Sequence, residues 1–356
     1  MTAYDFLVSK SDFHNARFQA RTVHPLKPGQ VRLSIDRFAL TSNNVSYAVF
    51  ADFAGYFNFF PTDDDAVGRV PFWGFANVSE STLDSVPVGT RLYGFLPASS
   101  DLIIEPTALD PFGFTDGSAH RDGLPAFYNR LHLAKTDLAY VEAYEDIQML
   151  VRPLYATGWL LDDMLMTRDE PPAHVIVTSA SSKTALAFGL KAKERAGLTL
   201  TGLTSRRNAD FVKGTGIYDH VVSYDDLASL ARIGPTILCD FYGDPALRNR
   251  ANAELGELMS ANVAIGGTNW SAPRTAEATG PTAEFFFAPS HADACAKRMG
   301  GEAFLKALNG DMVAVYPVMG GLVTPERRTG LDEIVSAWRD TLDGKVPPTT
   351  GLIMSL

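Results

Sequence analysis

Cysteine is nearly missing from this 356-residue chain, which has only Cys239 and Cys295. Two thiols in unlike contexts exclude a disulfide framework and a four-thiolate structural zinc. The seven histidines stand at 14, 24, 120, 132, 174, 220 and 291, with no His-Glu-x-x-His or comparable ligand spacing. No metal is therefore expected. Basic charge is also scarce, with 31 Lys and Arg against 41 Asp and Glu and a net charge of −10. A phosphate backbone would be repelled, so nucleic acid is not an expected partner. No apolar run reaches the roughly 18 residues that span a bilayer. Residues 1–20 carry Asp5, Asp12 and Asn15 where a signal peptide needs unbroken apolar residues. A cytoplasmic protein with no membrane partner is expected.

The composition that remains is that of a globular protein, 46% hydrophobic, 20% charged and 11% aromatic. The length suits two domains at about 100–200 residues each. Residues 31–110 read as short β segments broken by turns, at Val31–Phe38, Gly74–Glu80, Arg91–Leu96 and Asp101–Pro106. Asp110–Leu124 lacks apolar periodicity and reads as a surface excursion, and residues 145–168 follow with helical spacing. From His174 apolar β runs alternate with helical patterns. The strands are His174–Ser179, Leu198–Leu203, His220–Ser223, Thr236–Phe241 and Asn262–Gly266; the helices are Thr184–Ala196, Asn208–Lys213, Asp225–Ile233 and Pro245–Ser260. Five such strands predict an α/β, doubly wound parallel sheet. A helix Ser290–Leu308, a strand Met312–Val318, a helix Leu331–Leu342 and a strand Leu352–Leu356 are expected to close the chain.

A doubly wound sheet binds ligands beyond the carboxyl ends of its strands, with pyrophosphate at the first strand-to-helix turn. Here that turn is Ser179-Ala180-Ser181-Ser182-Lys183-Thr184 rather than Gly-x-Gly-x-x-Gly. Small residues still allow close approach, and hydroxyls with Lys183 offer hydrogen bonds to phosphate. A plain polar turn and helix N-cap is the alternative. A Walker loop is excluded because no Gly precedes Lys183-Thr184 at the required spacing. The second strand ends at Thr204-Ser205-Arg206-Arg207, where an acidic residue would bind the ribose of NAD. A hydroxyl and two guanidiniums suit a 2′-phosphate instead, which favours NADP(H). Gly266-Gly267-Thr268, after the fifth strand, is placed to let backbone approach a nicotinamide, or is simply a turn.

These segments resemble the medium-chain dehydrogenase/reductase superfamily, on its zinc-free, quinone-reductase-like side. Val86-Pro87-Val88-Gly89-Thr90-Arg91-Leu92-Tyr93-Gly94 is similar to its turn and strand, His174 to Ser223 to its first cofactor βαβ unit, and Gly344-Lys345-Val346-Pro347 to its closing turn. Phe38 to Asn44, Arg69 to Gly74 and Ser181 to Thr184 are similar to a bacterial branch of it. The resemblance implies a GroES-like β-rich catalytic domain over residues 1–148, completed by 312–356, and a Rossmann-type cofactor domain over 149–311. It also implies a cleft between the two domains and a homodimer. Leu40-Thr41-Ser42 and Phe72-Trp73-Gly74-Phe75 stand where zinc-dependent members place Cys and Gly-His-Glu, so catalytic zinc is not expected.

Asn43 and Asn44 lie where zinc-free relatives carry an Asn beside the nicotinamide, and Tyr47 follows one helical turn later. Its phenol suits protonation of a product enolate, with Tyr56 as rival and a core role open for either. Aromatics are dense at residues 50–60, at 72–75 and at Phe285–Phe287. They line an apolar substrate cavity if they face it. Asp63-Asp64-Asp65 lacks calcium-loop spacing and reads as a solvated loop. The expectation is a metal-free, NADPH-dependent oxidoreductase passing hydride to an activated double bond or ketone of a partly apolar small molecule. The alternatives are a non-catalytic NADPH-binding protein and a non-redox lyase or hydrolase on the same fold.

Overall fold

The computed structural model describes residues 2–267, 269 and 279–356. The chain divides into two compact units, one of Met1–Leu150 with Val313–Leu356 and one of Val151–Met312.

The first unit is strand-rich. In chain order it contains β1 (Thr2–Ser9), β2 (Ala16–Thr22), β3 (Val31–Leu40), α1 (Ser42–Val49), α2 (Ala51–Ala54), β4 (Val67–Gly68), β5 (Pro71–Ser81) and β6 (Arg91–Pro97). There follow β7 (Asp101–Ile104), β8 (Pro106–Asp110), β9 (Gly113–Asp116), α3 (Ala126–Asn129) and β10 (Arg130–Leu133). Strand β5 runs beside β3, and its Gly74 is needed there. A Cβ at that position would lie 2.4 Å from the Arg37 carbonyl oxygen, closer than any side chain tolerates. The excursion expected at Asp110–Leu124 is ordered, with β8 and β9 paired and a short 3-10 turn at Ala119–Arg121. Its order comes from a buried ion pair, Arg121 Nε to Asp116 Oδ2 at 2.8 Å. Such a contact leaves no periodic trace in sequence. Helix α4 (Glu145–Met166) then carries the chain into the second unit. Its first residue, Glu145, accepts from Arg91 Nε and Nη2 at 2.7 Å each, which fixes the helix start against β6.

The second unit holds β11 (His174–Val177), α5 (Lys183–Ala192), β12 (Thr199–Thr204), α6 (Ala209–Gly214), β13 (His220–Ser223), β14 (Thr236–Asp240), α7 (Pro245–Leu255), β15 (Met259–Ala264), β16 (Ala283–Phe285) and α8 (Ala288–Met299). The strands pair in parallel in the order β13-β12-β11-β14-β15-β16, the doubly wound arrangement expected, with β16 added to the five strands anticipated. Strand β11 is buried throughout, as parallel strands covered on both faces must be. Gly158 on α4 lets that helix press on α5, since a Cβ would meet the Phe188 backbone at 2.7 Å. No helix forms over Asp225–Ile233. Leu227 and Leu230 are buried, but only a 3-10 turn at Leu227–Ser229 brings them in.

Helix α9 (Gly301–Leu322) returns the chain to the first unit, and the strand expected at Met312–Val318 lies inside it. Buried Met312, Val315, Tyr316 and Met319 follow the helical period, which the apolar run had masked. The helix expected over Ser290–Leu308 breaks at Gly300, whose φ is +84°. Strand β17 (Thr324–Thr329), α10 (Leu331–Leu342) and β18 (Thr350–Ser355) follow. Strand β18 pairs antiparallel with β3, so the end of the chain completes the first unit's larger sheet. Trp338 of α10 is fully buried edge-on to Phe6 at 5.8 Å and donates its indole N–H to the Phe13 carbonyl at 2.8 Å. No helix among the described residues is long and apolar enough to cross a membrane.

Candidate functional site

In the second unit the turns after β11, β12 and β13 lie at the carboxyl ends of the strands, and the sheet order reverses between β11 and β14. Ser179 adopts φ +51°, a left-handed conformation that a side chain disfavours. Ser179 stands where the glycine fingerprint would begin. Ser179 N–H donates to the Tyr224 hydroxyl at 2.9 Å, and Ala180 N–H donates to the Leu203 carbonyl at 3.0 Å. Ser181 Oγ accepts from Asn208 Nδ2 at 3.0 Å. Ser182 is the N-cap of α5, its hydroxyl accepting from Ala185 N–H at 3.3 Å. Of the expected pyrophosphate hydroxyls, that of Ser182 is thus engaged as a helix cap. Lys183 and Thr184 open α5, both half-buried. Desolvation pulls the Lys183 ammonium down to about 8.

Thr204 ends β12 buried, Ser205 is half-buried, and Arg206 and Arg207 are exposed on the 3-10 turn Arg206–Asn208. Arg206 Nε lies 3.0 Å from Asp225 Oδ2. Tyr224 stacks on Tyr242, ring centroids 4.9 Å apart. Gly266 and Gly267 lie under the turn that follows β14, where a Cβ on Gly243 would meet Gly267 Cα at 2.8 Å. It is therefore the glycine at 243 that lets the two loops touch. Thr268 lies outside the described residues. Asp240, at the end of β14, is buried, and desolvation raises its carboxyl above the usual range. It holds the turn in place by accepting from Thr178 Oγ1 at 2.8 Å and Gly243 N–H at 2.9 Å.

In the first unit α1 begins at Thr41, whose side chain caps Asn43 N–H. Asn44 closes the capping box, its Oδ1 accepting from Thr41 N–H at 2.7 Å while its Nδ2 donates to the Pro71 carbonyl at 2.9 Å. Asn44 is buried and its amide is engaged at both ends, in the helix cap and on β5. One turn on, the buried Tyr47 hydroxyl accepts from Asn43 Nδ2 at 2.8 Å and from Trp73 Nε1 at 3.1 Å. Tyr56, the rival, packs on Tyr47 at 4.5 Å between ring centroids. Its hydroxyl lies 3.3 Å from that of Tyr128. The two candidates therefore share one cluster, to which Phe95, Trp73 and Tyr128 contribute. Desolvation raises all three phenols above their ordinary pKa, opposed at Tyr47 by the donors Trp73 and Asn43. Phe127, 39% exposed, lies 5.9 Å from the Trp73 ring.

Sequence reasoning missed Tyr128, Asn208, Tyr224 and Asp225. The adjacent aromatics Phe127-Tyr128 and a Tyr-Asp pair closing the third strand were the available signals. Among the described residues no three His, Cys, Asp or Glu side chains stand together as a metal-ligand set. A pocket of about 400 Å³ elsewhere in the first unit is lined by Asp5, Arg21, Arg69 and Asp101, whose charges are mutually paired.

The model of a family described as "Protein of unknown function (DUF2855)" matches residues 38–347. No curated protein matches the chain by sequence. Among solved structures, CurA from Vibrio vulnificus in complex with NADPH is similar at 13% identity and a TM-score of 0.64, over 99% of this chain and 98% of that one. The complex of Etr1p with NADP and crotonyl-CoA is similar at 13% identity and 0.58, with both chains covered in full at 100%. CurK enoyl reductase is similar at 14% and 0.58, over 99% of each chain. At these identities the likeness is one of fold, and the fold is that of the medium-chain dehydrogenase/reductases.

Proposed function

Starting from a chain that belongs to the DUF2855 family and carries the medium-chain dehydrogenase/reductase fold, we propose that it is an NADPH-dependent oxidoreductase. Its substrate is an activated double bond or ketone of a partly apolar small molecule. The observation that carries the chemistry is the Tyr47 hydroxyl. Trp73 Nε1 can only donate, and Asn43 Nδ2 donates as well, so both bonds are received by the Tyr47 oxygen. Its own proton is left to point at a third acceptor. Bound NADPH would supply the hydride. Tyr47 holds the proton that neutralises the resulting enolate, and the aromatic rings around it keep water from competing. The cofactor that CurA and Etr1p hold in their structures supports the same assignment here.

The turn after β11 fits a dinucleotide. Its backbone already takes the left-handed conformation at Ser179, the N-terminus of α5 presents its dipole to an anion, and Ser181, Lys183 and Thr184 surround it. Ser205, Arg206 and Arg207 would hold the 2′-phosphate, since a guanidinium fork matches phosphate oxygens. Fluorescence titration tests this directly. NADPH is expected to bind at least about tenfold tighter than NADH, a difference of some 1.4 kcal/mol. Arg206→Ala removes most of that advantage and leaves NADH within about twofold. Equal affinity of the unaltered protein for the two cofactors defeats the assignment.

Lys183 adds a pH signature. Its depressed pKa, about 8, means that the charged form is lost as pH rises through that value, whereas the unfolded chain keeps its proton to about 10.4. Affinity for either cofactor should fall above pH 8 and stay flat in Lys183→Met. In the same window, from about 8 up to the unfolded value, the ligand-free fold binds fewer protons than the unfolded chain, so its stability rises with pH. Parallel pH profiles for the unaltered protein and Lys183→Met would remove Lys183 from the site.

A further inference from the structure

We propose that Asp225 sets the cofactor selectivity of the adenosine end by holding Arg206 as an internal counter-ion. This rests on the reading of that end as the NADP(H) site. The carboxylate lies 3.0 Å from Arg206 Nε. It is not on a loose loop. The preceding residue, Tyr224, donates its N–H to the Thr204 carbonyl at 2.9 Å, accepts from Ser179 N–H at 2.9 Å and stacks on Tyr242. Asn208, two residues after Arg206, is tied to Ser181 at 3.0 Å. These bonds fix the turns after β11, β12 and β13 to one another, so Arg206 and Asp225 face each other from anchored positions.

The pair itself is open to water, with Arg206 78% and Asp225 61% exposed. It is therefore weak enough to be exchanged. A 2′-phosphate that takes Arg206 edge-on through Nε competes with the carboxylate for that donor, whereas a ribose hydroxyl need not disturb it. The acidic residue that nicotinamide sites use to select NAD normally ends the second strand. Here the carboxylate arrives from the third strand and lowers the gain from the phosphate without abolishing it.

The test uses the full chain with 2′,5′-ADP and 5′-AMP as probes, measured by calorimetry at 0.15 M salt, where screening acts beyond roughly 8 Å. Asp225→Asn should bind 2′,5′-ADP about three- to fivefold tighter, the scale of an exposed ion pair, and leave 5′-AMP within about twofold. In an Arg206→Ala background the same substitution should change neither probe by more than about twofold, since its partner is gone. An unchanged affinity for 2′,5′-ADP overturns the proposal, as does equal tightening of both probes or a gain that persists without Arg206. If folded protein binds neither probe, with or without Asp225, the adenosine site itself fails and the proposal falls with it.

Discussion

Tyr47→Phe lowers turnover by about 10²–10⁴ while leaving NADPH affinity within about twofold, because a positioned acid contributes on that scale to proton transfer and nothing to holding the cofactor. The phenyl ring keeps its packing against Tyr56 and Phe95. What is lost is one oxygen, with two consequences. The proton for the enolate goes, and the Trp73 indole and Asn43 amide lose their acceptor. A buried donor left without a partner costs about 1–3 kcal/mol, so a modest fall in melting temperature should accompany the loss of rate. Burial raises the Tyr47 phenol above its ordinary value. Its acid form therefore persists across every pH at which the protein would be assayed, and any loss of rate near neutrality in the unaltered protein belongs to another group. The measurement is single-turnover oxidation of NADPH with an enone or quinone that the unaltered protein reduces. Undiminished turnover in Tyr47→Phe would transfer the acid role to Tyr56 and its partner Tyr128.

Arg121→Ala is expected to cost about 3–5 kcal/mol of stability, as removal of one member of a buried ion pair does elsewhere. Arg121 is 3% exposed and Asp116 2%. Desolvation lowers the Arg121 pKa, and the Asp116 charge opposes that shift. The guanidinium also donates to Asn129 Oδ1 at 3.1 Å and lies over the Phe60 and Phe59 rings at 4.9 and 5.5 Å. Asp116 accepts in turn from Glu105 N–H at 3.1 Å and from the Ser118 hydroxyl at 2.6 Å. Truncation leaves a carboxylate stranded in the interior. Asn129 closes α3 and neighbours Tyr128, so the same change loosens one wall of the phenol cluster. Urea unfolding measures the cost. Adding Asp116→Asn to Arg121→Met should recover part of it, because no unpaired charge then remains. A loss below about 1 kcal/mol for Arg121→Ala would show that the pair is solvated.

The sequence by itself determined what is local and periodic. The strands around His174–Val177 and Thr199–Thr204 were legible because short apolar runs alternate with helical stretches. Helix Leu331–Leu342 was legible because Ile334, Ala337, Trp338 and Leu342 keep one face. Charge and the scattered cysteines and histidines likewise spoke without a fold. Where a run was uniformly apolar, as at Met312–Val318, period alone could not separate strand from helix, and burial inside α9 decided.

Tertiary structure alone decided which residues act together. Tyr47 and Tyr56 stood as rivals in sequence; the fold stacks them and brings Trp73, 26 positions from Tyr47, onto one hydroxyl. It places Tyr128 on Tyr56 across 72 positions. It engages Asn44 in capping a helix, and sets Asp225 against Arg206. Hydrogen bonds and ion pairs between distant residues carry no sequence period, and each depends on strands whose register is set by the whole sheet. For that reason the chemistry-bearing residue types could be read from the chain, while their partners could not.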